Sequence, residues 1–239
     1  MATPAALDSK IYDLLNPTPA DPAPDGGDNG GYWGGTGVQG GEYLENLKNE
    51  SDAREETDLA GFNDIADYGW AKNAIDYLAD KNIIVGTSAT TFEPARGVKR
   101  GEFAKILVLA LGYDISDAKS DFIDVMNSAW YAPYVVTLKE MGLAEGSGNG
   151  YFNPEASITR EEVCTLIYRA LGDKLEKEGA VTYGDSANIS DFAKDAVVAL
   201  SASGIIKGNE DGTFLPQNTT TRAEAAVMFY RMLTQGGLV

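Results

Sequence analysis

The sequence predicts a mainly α-helical protein made of three copies of one two-helix unit, with a central three-helix bundle and amphipathic helices outside it. Three observations carry that expectation. The steps Phe92-Glu93-Pro94, Phe152-Asn153-Pro154 and Phe214-Leu215-Pro216 recur 60 and 62 residues apart. The same offsets relate Gly86, Gly146 and Gly208, then Arg100, Arg160 and Arg222, then Glu102, Glu162 and Glu224; with a one-residue slip they also relate Asp64, Asp124 and Asp185. Self-similarity at a fixed period is the mark of a repeat architecture. Within each copy, an amphipathic helical pattern precedes a segment that is apolar nearly all round.

Each copy opens with an aspartate in a short turn, as in Phe62-Asn63-Asp64 and Phe122-Ile123-Asp124. A helix follows with apolar positions at i, i+4, i+5 and i+8: Trp70, Ala74, Ile75 and Leu78, then Trp130, Tyr134, Val135 and Leu138, then Phe192, Ala196, Val197 and Leu200. That spacing makes one buried stripe. The helix stops at Asn82, Gly142 or Gly204, residue types that tolerate the left-handed cap conformation. The second helix starts at Thr159-Arg160-Glu161-Glu162 or Thr221-Arg222-Ala223-Glu224, and the T-x-x-E spacing is that of a capping box. The helices that follow, residues 103–111, 163–171 and 225–233, have little polar face and must be buried on most sides. Cys164 aligns with Ala104 and Ala226 and reads as a small core residue. Tyr168 and Tyr230 read as core residues as well.

The arginines ask for a separate account. Arg100, Arg160 and Arg222 each fall in a first helical turn, where the macrodipole disfavours a cation by about 0.3 to 1 kcal/mol. A helix N-terminus beside an arginine can receive a carboxylate or phosphate, because free N–H groups and a guanidinium fork converge on one anion. The alternative is that each arginine pairs with a local acid such as Asp64, Asp124 or Asp185. The two roles are compatible.

Composition narrows the function further. The chain has 239 residues, 36 acidic against 19 basic, a net charge of -17, no histidine and one cysteine. A phosphate-backbone binder needs a basic face, so nucleic acid is not expected as a partner. Without histidine there is no Ser-His-Asp or Cys-His catalysis. One cysteine forms no intramolecular disulfide, and no apolar run approaches the ~18 residues of a membrane span. Residues 1–60 carry 12 acids and 3 bases. The proline-rich and glycine-rich run at 17–41 reads as a linker, with a polar helix possible over 43–59. This tail reads as a joint to a larger upstream part. No secretory pattern opens the chain at Met1-Ala2-Thr3. Residues 61–113, 121–173 and 182–235 are the expected repeats, and 61–235 one folded unit.

These residues resemble the S-layer homology family. Its pattern is an F-x-D start, a W-A-x-x-A-I helix, a G-I-I-x-G turn, an F-x-P step and an I-T-R-A-E helix start. Here the first copy reads Phe62-Asn63-Asp64, Trp70-Ala71-Lys72-Asn73-Ala74-Ile75, Asn82-Ile83-Ile84-Val85-Gly86, Phe92-Glu93-Pro94 and Val98-Lys99-Arg100-Gly101-Glu102. The resemblance covers roughly three quarters of the chain. It implies a pseudo-threefold spindle that anchors a bacterial surface protein, without catalysis or cofactor, to secondary cell-wall polysaccharide, often pyruvylated. The terminal sugar would occupy grooves between copies. By position it points to Arg100, Arg160 and Arg222, to Asp64, Asp124 and Asp185, to Trp70 and Trp130, and to Gly86, Gly146 and Gly208. The carboxylate of a pyruvyl ketal is the anion the arginine sites would accept.

The copies depart from one another. Copy one has Lys99 and Gly101 in place of threonine and alanine, so it lacks the side-chain cap while gaining a cation. Copy three has Phe192 where the others have tryptophan. Before the turn glycine stand Val85, Glu145 and Lys207, of which Lys207 alone favours an anionic sugar. The grooves are therefore expected to be unequal. Residues 61–239 carry 24 acids and 16 bases, so binding would rest on short-range groups and depend weakly on salt. The alternatives are a self-associating surface-layer lattice module and a direct peptidoglycan binder. The chain offers no unique carboxylate pair of the kind a glycosidase uses, and Asn209-Glu210-Asp211-Gly212 lacks the ligand order of a calcium loop.

Overall fold

The computed structural model describes residues 61–172, 175 and 182–236. The expected linker and the helix over 43–59 lie outside them. Among these residues six α-helices occur, two per copy: α1 (Gly69–Asp80) and α2 (Arg100–Leu111), α3 (Ala132–Glu140) and α4 (Arg160–Leu171), α5 (Lys194–Ala202) and α6 (Arg222–Gln235). Among the described residues there are isolated bridges but no strands. The protein is mainly α-helical, as the periodicity predicts.

Local sequence explains the helix limits. Asn82, Gly142 and Gly204, just beyond the first helices, have φ of 56°, 71° and 74°, the left-handed conformation in which these residue types are least strained. At the second helices, Thr159 and Thr221 accept from the N–H of Glu162 and Glu224, and each glutamate accepts in return from the threonine N–H. In copy one only the return bond exists, Lys99 N–H to Glu102 Oε2 at 3.0 Å, because an ammonium has no acceptor to offer.

How the copies join is decided in three dimensions. Each first helix packs mainly on the second helix of the preceding copy: α3 on α2, α5 on α4, and α1 on α6. The second helices touch one another more sparsely, through contacts such as Phe103 against Phe229 at 5.0 Å between ring centroids. The strongest helix packing is thus between outer and inner helices of neighbouring copies. A ring of backbone hydrogen bonds closes the set: Val98 N–H to Thr220 C=O, Thr220 N–H to Ile158 C=O, and Ile158 N–H to Val98 C=O. Copy one is thereby bonded to copy three as directly as to copy two.

Fully buried side chains include Phe92, Phe152 and Phe214 of the three F-x-P steps, with Ile75, Leu78, Leu107 and Leu138. Removing such rings from water contributes about 1.5–3 kcal/mol each. The opening aromatic of each copy packs on its own step: Phe62 on Phe92, Phe122 on Phe152 and Tyr183 on Phe214, at 5.3 to 5.5 Å. Cys164 is buried, and burial pushes its thiol up to about 12, in keeping with a core role. Tyr168 and Tyr230 are only partly buried, and Tyr230 meets Tyr77 edge-on.

One expectation fails. Trp70, Trp130 and Phe192 are not part of the buried stripe; they are 60%, 54% and 58% exposed. Trp70 lies in the first turn of α1, whose buried face is Ala71, Ala74, Ile75 and Leu78. Trp130 precedes α3, and Phe192 lies in the 3-10 turn Asp191–Ala193 before α5. Trp70 is helical but lies off the buried face, and a helical stripe cannot be extrapolated into Trp130 and Phe192, which precede their α-helices.

Candidate functional site

The helix-start arginines are buried and reach across copy boundaries. Arg100 Nε donates to Phe152 C=O at 2.8 Å, Arg160 Nε to Phe214 C=O at 2.9 Å, and Arg222 Nε to Phe92 C=O at 2.7 Å. Each guanidinium also lies over the ring of the same phenylalanine, 4.4 to 5.2 Å from its centroid. Three equivalent clamps therefore tie each copy to the next. That accounts for a cation in a first helical turn: its head group leaves the helix dipole and satisfies carbonyls of another copy.

The partners of these arginines are not the opening aspartates. Asp64 accepts from the N–H of Phe92 and Glu93, Asp124 from Phe152 and Asn153, and Asp185 from Phe214 and Leu215, at 2.7 to 2.9 Å. Glu93, Asn153 and Leu215 have φ of 57° to 59°, an uncommon conformation for residues with a Cβ. Each aspartate pins that strained step from about thirty residues away. Burial pushes the Asp64 carboxyl up, but the two backbone N–H donors outweigh it and hold it below the usual value. The acids that meet arginines are the capping-box glutamates. Arg100 Nη1 donates to Glu162 Oε1 at 2.5 Å and Arg160 Nη1 to Glu224 Oε1 at 2.9 Å. Each glutamate thus caps its helix with one oxygen and binds the preceding copy with the other, a second role that T-x-x-E spacing does not reveal.

The helix N-termini are also occupied. The N–H groups of Arg100 and Gly101 donate to Ala156 and Pro154 carbonyls, those of Arg160 and Glu161 to Asn218 and Pro216, and those of Arg222 and Ala223 to Arg96 and Pro94. The expected convergence of free N–H groups and guanidinium on an external anion does not occur, because the neighbouring copy fills the N–H groups. Lys99 is engaged as well, with Glu155 at 2.6 Å.

The turn glycines have a packing reason. A Cβ on Gly86, Gly146 or Gly208 would stand 2.5, 2.7 or 2.4 Å from the opening aromatic Phe62, Phe122 or Tyr183. Nothing larger than hydrogen fits there.

Two cavities open at the copy junctions, and each takes residues from all three copies. The larger, about 660 Å³, is lined by Arg160, by Lys207, Gly208, Glu224 and Arg231 of copy three, and by Tyr68 and Trp70 of copy one. The second, about 380 Å³, is lined by Arg100, by Glu145, Gly146, Glu162 and Arg169 of copy two, and by Phe192 of copy three. Each therefore brings together a helix-start arginine, a turn glycine and an exposed aromatic, three of the residue classes the resemblance points to. A further cavity of about 290 Å³ beside Gly86 is lined by copy-one residues alone.

Arg169 and Arg231 escaped the sequence reading. They stand nine residues after Arg160 and Arg222, at a position that is Leu109 in copy one. The signal that could have found them is a cation recurring at one position of an otherwise apolar helix. Among the described residues no group of His, Cys, Asp and Glu could hold a metal ion, and no helix is long and apolar enough to cross a membrane.

The fold and these junctions define a tandem-repeat binding module. Residues 61–104, 121–164 and 182–226 each match the S-layer homology domain, and the chain belongs to that family. It is 38% identical over 176 residues to "Exoglucanase XynX" of Acetivibrio thermocellus, covering 72% of this chain and 16% of that protein. It is 31% identical over 179 residues to "Surface-layer 125 kDa protein" of Lysinibacillus sphaericus, covering 73% and 15%. It is 33% identical over 157 residues to "Cellulosome-anchoring protein" of Acetivibrio thermocellus, covering 62% and 34%. The chain thus spans about a third or less of these relatives' length. The match is to a cell-surface module that recurs beside different partners in longer proteins.

Proposed function

We propose that the repeats anchor their protein to the cell wall by binding secondary cell-wall polysaccharide, with its pyruvylated terminal sugar held in the grooves between copies. The observation that supports this most is the recurring composition of the two cavities, where an exposed aromatic of one copy faces the turn glycine and cations of the other two. Sugars present an apolar face that packs on aromatic rings, and a carboxylate substituent needs a guanidinium or ammonium nearby. Trp70 serves the larger groove and Phe192 the smaller; Phe192 offers the face without an indole N–H. Trp130 holds the corresponding position for the junction of Arg222, Val85 and Gly86.

In this role Arg100, Arg160 and Arg222 act from the groove floor. Arg160 commits three of its N–H donors to Phe214, Lys207 and Glu224, leaving two of the five a guanidinium offers. Asp64, Asp124 and Asp185 shape the sites by fixing the F-x-P steps, and Gly86, Gly146 and Gly208 keep the turns low. Lys207 adds a cation at the rim of the larger groove, whereas Lys99 is held by Glu155. No bond is made or broken.

Co-sedimentation with purified wall sacculi, before and after acid stripping of the attached polysaccharide, tests the reading. Binding is expected to disappear on stripping and to fall in Trp70→Ala, whose exposed side chain leaves folding stability unchanged within about 0.5 kcal/mol. Equal binding to stripped walls would favour direct peptidoglycan recognition and sink the proposal.

A further inference from the structure

We infer that Arg231, rather than the helix-start Arg160, is the residue that receives the anionic substituent of the sugar in the larger groove, which makes this groove the principal anion site of the molecule. The inference rests on the wall-glycan reading above and names the group that would decide which sugar is held.

The Arg160 side chain is buried, clamped to Phe214 C=O, Lys207 C=O and Glu224 Oε1. An anion drawn to it would compete with a carboxylate already bonded at 2.9 Å. Arg231 lines the same cavity from the far end of α6 and has no hydrogen bond or ion pair among the described residues. It is nevertheless partly buried, and burial alone draws its guanidinium below the usual arginine value, with no acid acting to raise it. A partly desolvated guanidinium without a counter-ion carries a cost in the free protein, and an entering carboxylate offsets it. The other acids on the wall do not forestall it. Glu224 is held by Arg160 and Thr221, and Glu210 is exposed.

The equivalent positions sharpen the assignment. In the smaller groove Arg169 donates to Leu143 C=O at 3.1 Å and lies 3.7 Å from Glu145, so its charge is partly answered within the protein. At the third junction the position is Leu109. At this helix position an unanswered arginine, an answered arginine and a leucine give three grooves of decreasing anion affinity, and Lys207 adds an exposed ammonium at the rim of the first. The walls of the larger groove fit an anionic sugar rather than a bare anion, because Tyr68 and Trp70 face the space that Arg231 enters.

The test uses the full chain and a monovalent probe, a methyl hexosaminide carrying a 4,6-pyruvyl ketal, beside the methyl ester of the same compound. Calorimetry and amide chemical-shift titration read the affinity of the parent chain, Arg231→Gln and Arg169→Gln. A charged hydrogen bond contributes about 1.5–3 kcal/mol, so Arg231→Gln is expected to weaken binding of the acid by about tenfold or more. The ester should bind weakly and equally to the parent and this variant, and Arg169→Gln should lose less. Thermal unfolding of Arg231→Gln should match the parent, since no internal partner is lost. Unchanged binding of the acid by Arg231→Gln overturns the inference, as does a parent chain that binds acid and ester alike. Sedimentation with unstripped sacculi separates this from the broader reading. A parent chain that sediments while failing to bind the probe refutes the Arg231 assignment alone; one that does not sediment refutes wall binding and the assignment with it.

Discussion

The junction of copies two and three and the junction of copies three and one are built from the same parts, yet their charges are wired differently. At the former, Arg160 binds Glu224. At the latter the equivalent Glu102 is taken by Arg96, which reaches it at 2.8 and 3.0 Å, and Arg222 is left with the carbonyls of Phe92 and Val85. Arg96 has alanine and asparagine at its equivalents, Ala156 and Asn218. What survives in all three junctions is the guanidinium bond to the phenylalanine carbonyl and the cation over its ring. What varies is the acid. The backbone clamp is the part the fold requires, and the ion pair is where copies can diverge without losing it.

Truncating the arginines should separate these contributions. Arg160→Ala leaves Glu224 without its cation and the Phe214 and Lys207 carbonyls without this donor, and is expected to cost about 3 kcal/mol in urea unfolding. Arg222→Ala strands carbonyls only and should cost about 2 kcal/mol. Equal losses would mean that the Glu224 pair adds nothing. A smaller effect is expected where the three copies meet. Thr220 takes the place held by Val98 and Ile158 in the closing ring, and its buried hydroxyl has no partner among the described residues. Thr220→Val should therefore stabilise the protein by about 1 kcal/mol; a loss would indicate that the hydroxyl is satisfied.

The acid limb of stability probes the third junction most finely. Burial raises the Glu102 carboxyl, but the Arg96 hydrogen bonds, the Lys99 N–H and the nearby Arg96 charge outweigh it, and the group lies below its ordinary value of 4.5. A depressed folded value means the contribution is complete above the ordinary value and is lost as pH falls through the folded one. Arg96→Ala should shrink that loss when unfolding is followed below pH 4.5, the ordinary value. The Arg96 and Glu102 side chains keep 31% and 21% of their surface exposed, so the cost at neutral pH should stay below about 1 kcal/mol. An unchanged acid limb would show that Arg96 does not control this carboxylate.

Much of the candidate site could be read in the chain, for reasons particular to each residue. Asp64, Gly86, Arg100 and their counterparts stood out because one position repeated across three copies. The exposure of Trp70, Trp130 and Phe192 did not, since an aromatic at helical spacing looks like core until the start of the helix is known. The answering of Arg169 by Leu143 and Glu145, and the solitude of Arg231, depend on atoms far away in sequence.

The sequence by itself determined the repeat, the helices, their caps and the residue classes at the grooves, because these follow from periodicity and from contacts within a few residues. Tertiary structure decided which copy each group serves. Arg100, Arg160 and Arg222 act on the next copy, first helices pack on second helices of the preceding one, and copy one closes onto copy three. Those pairings join residues as many as 137 positions apart, as between Arg222 and Val85. Side chains cross that span only after the chain has closed into its ring, so spacing alone cannot specify them.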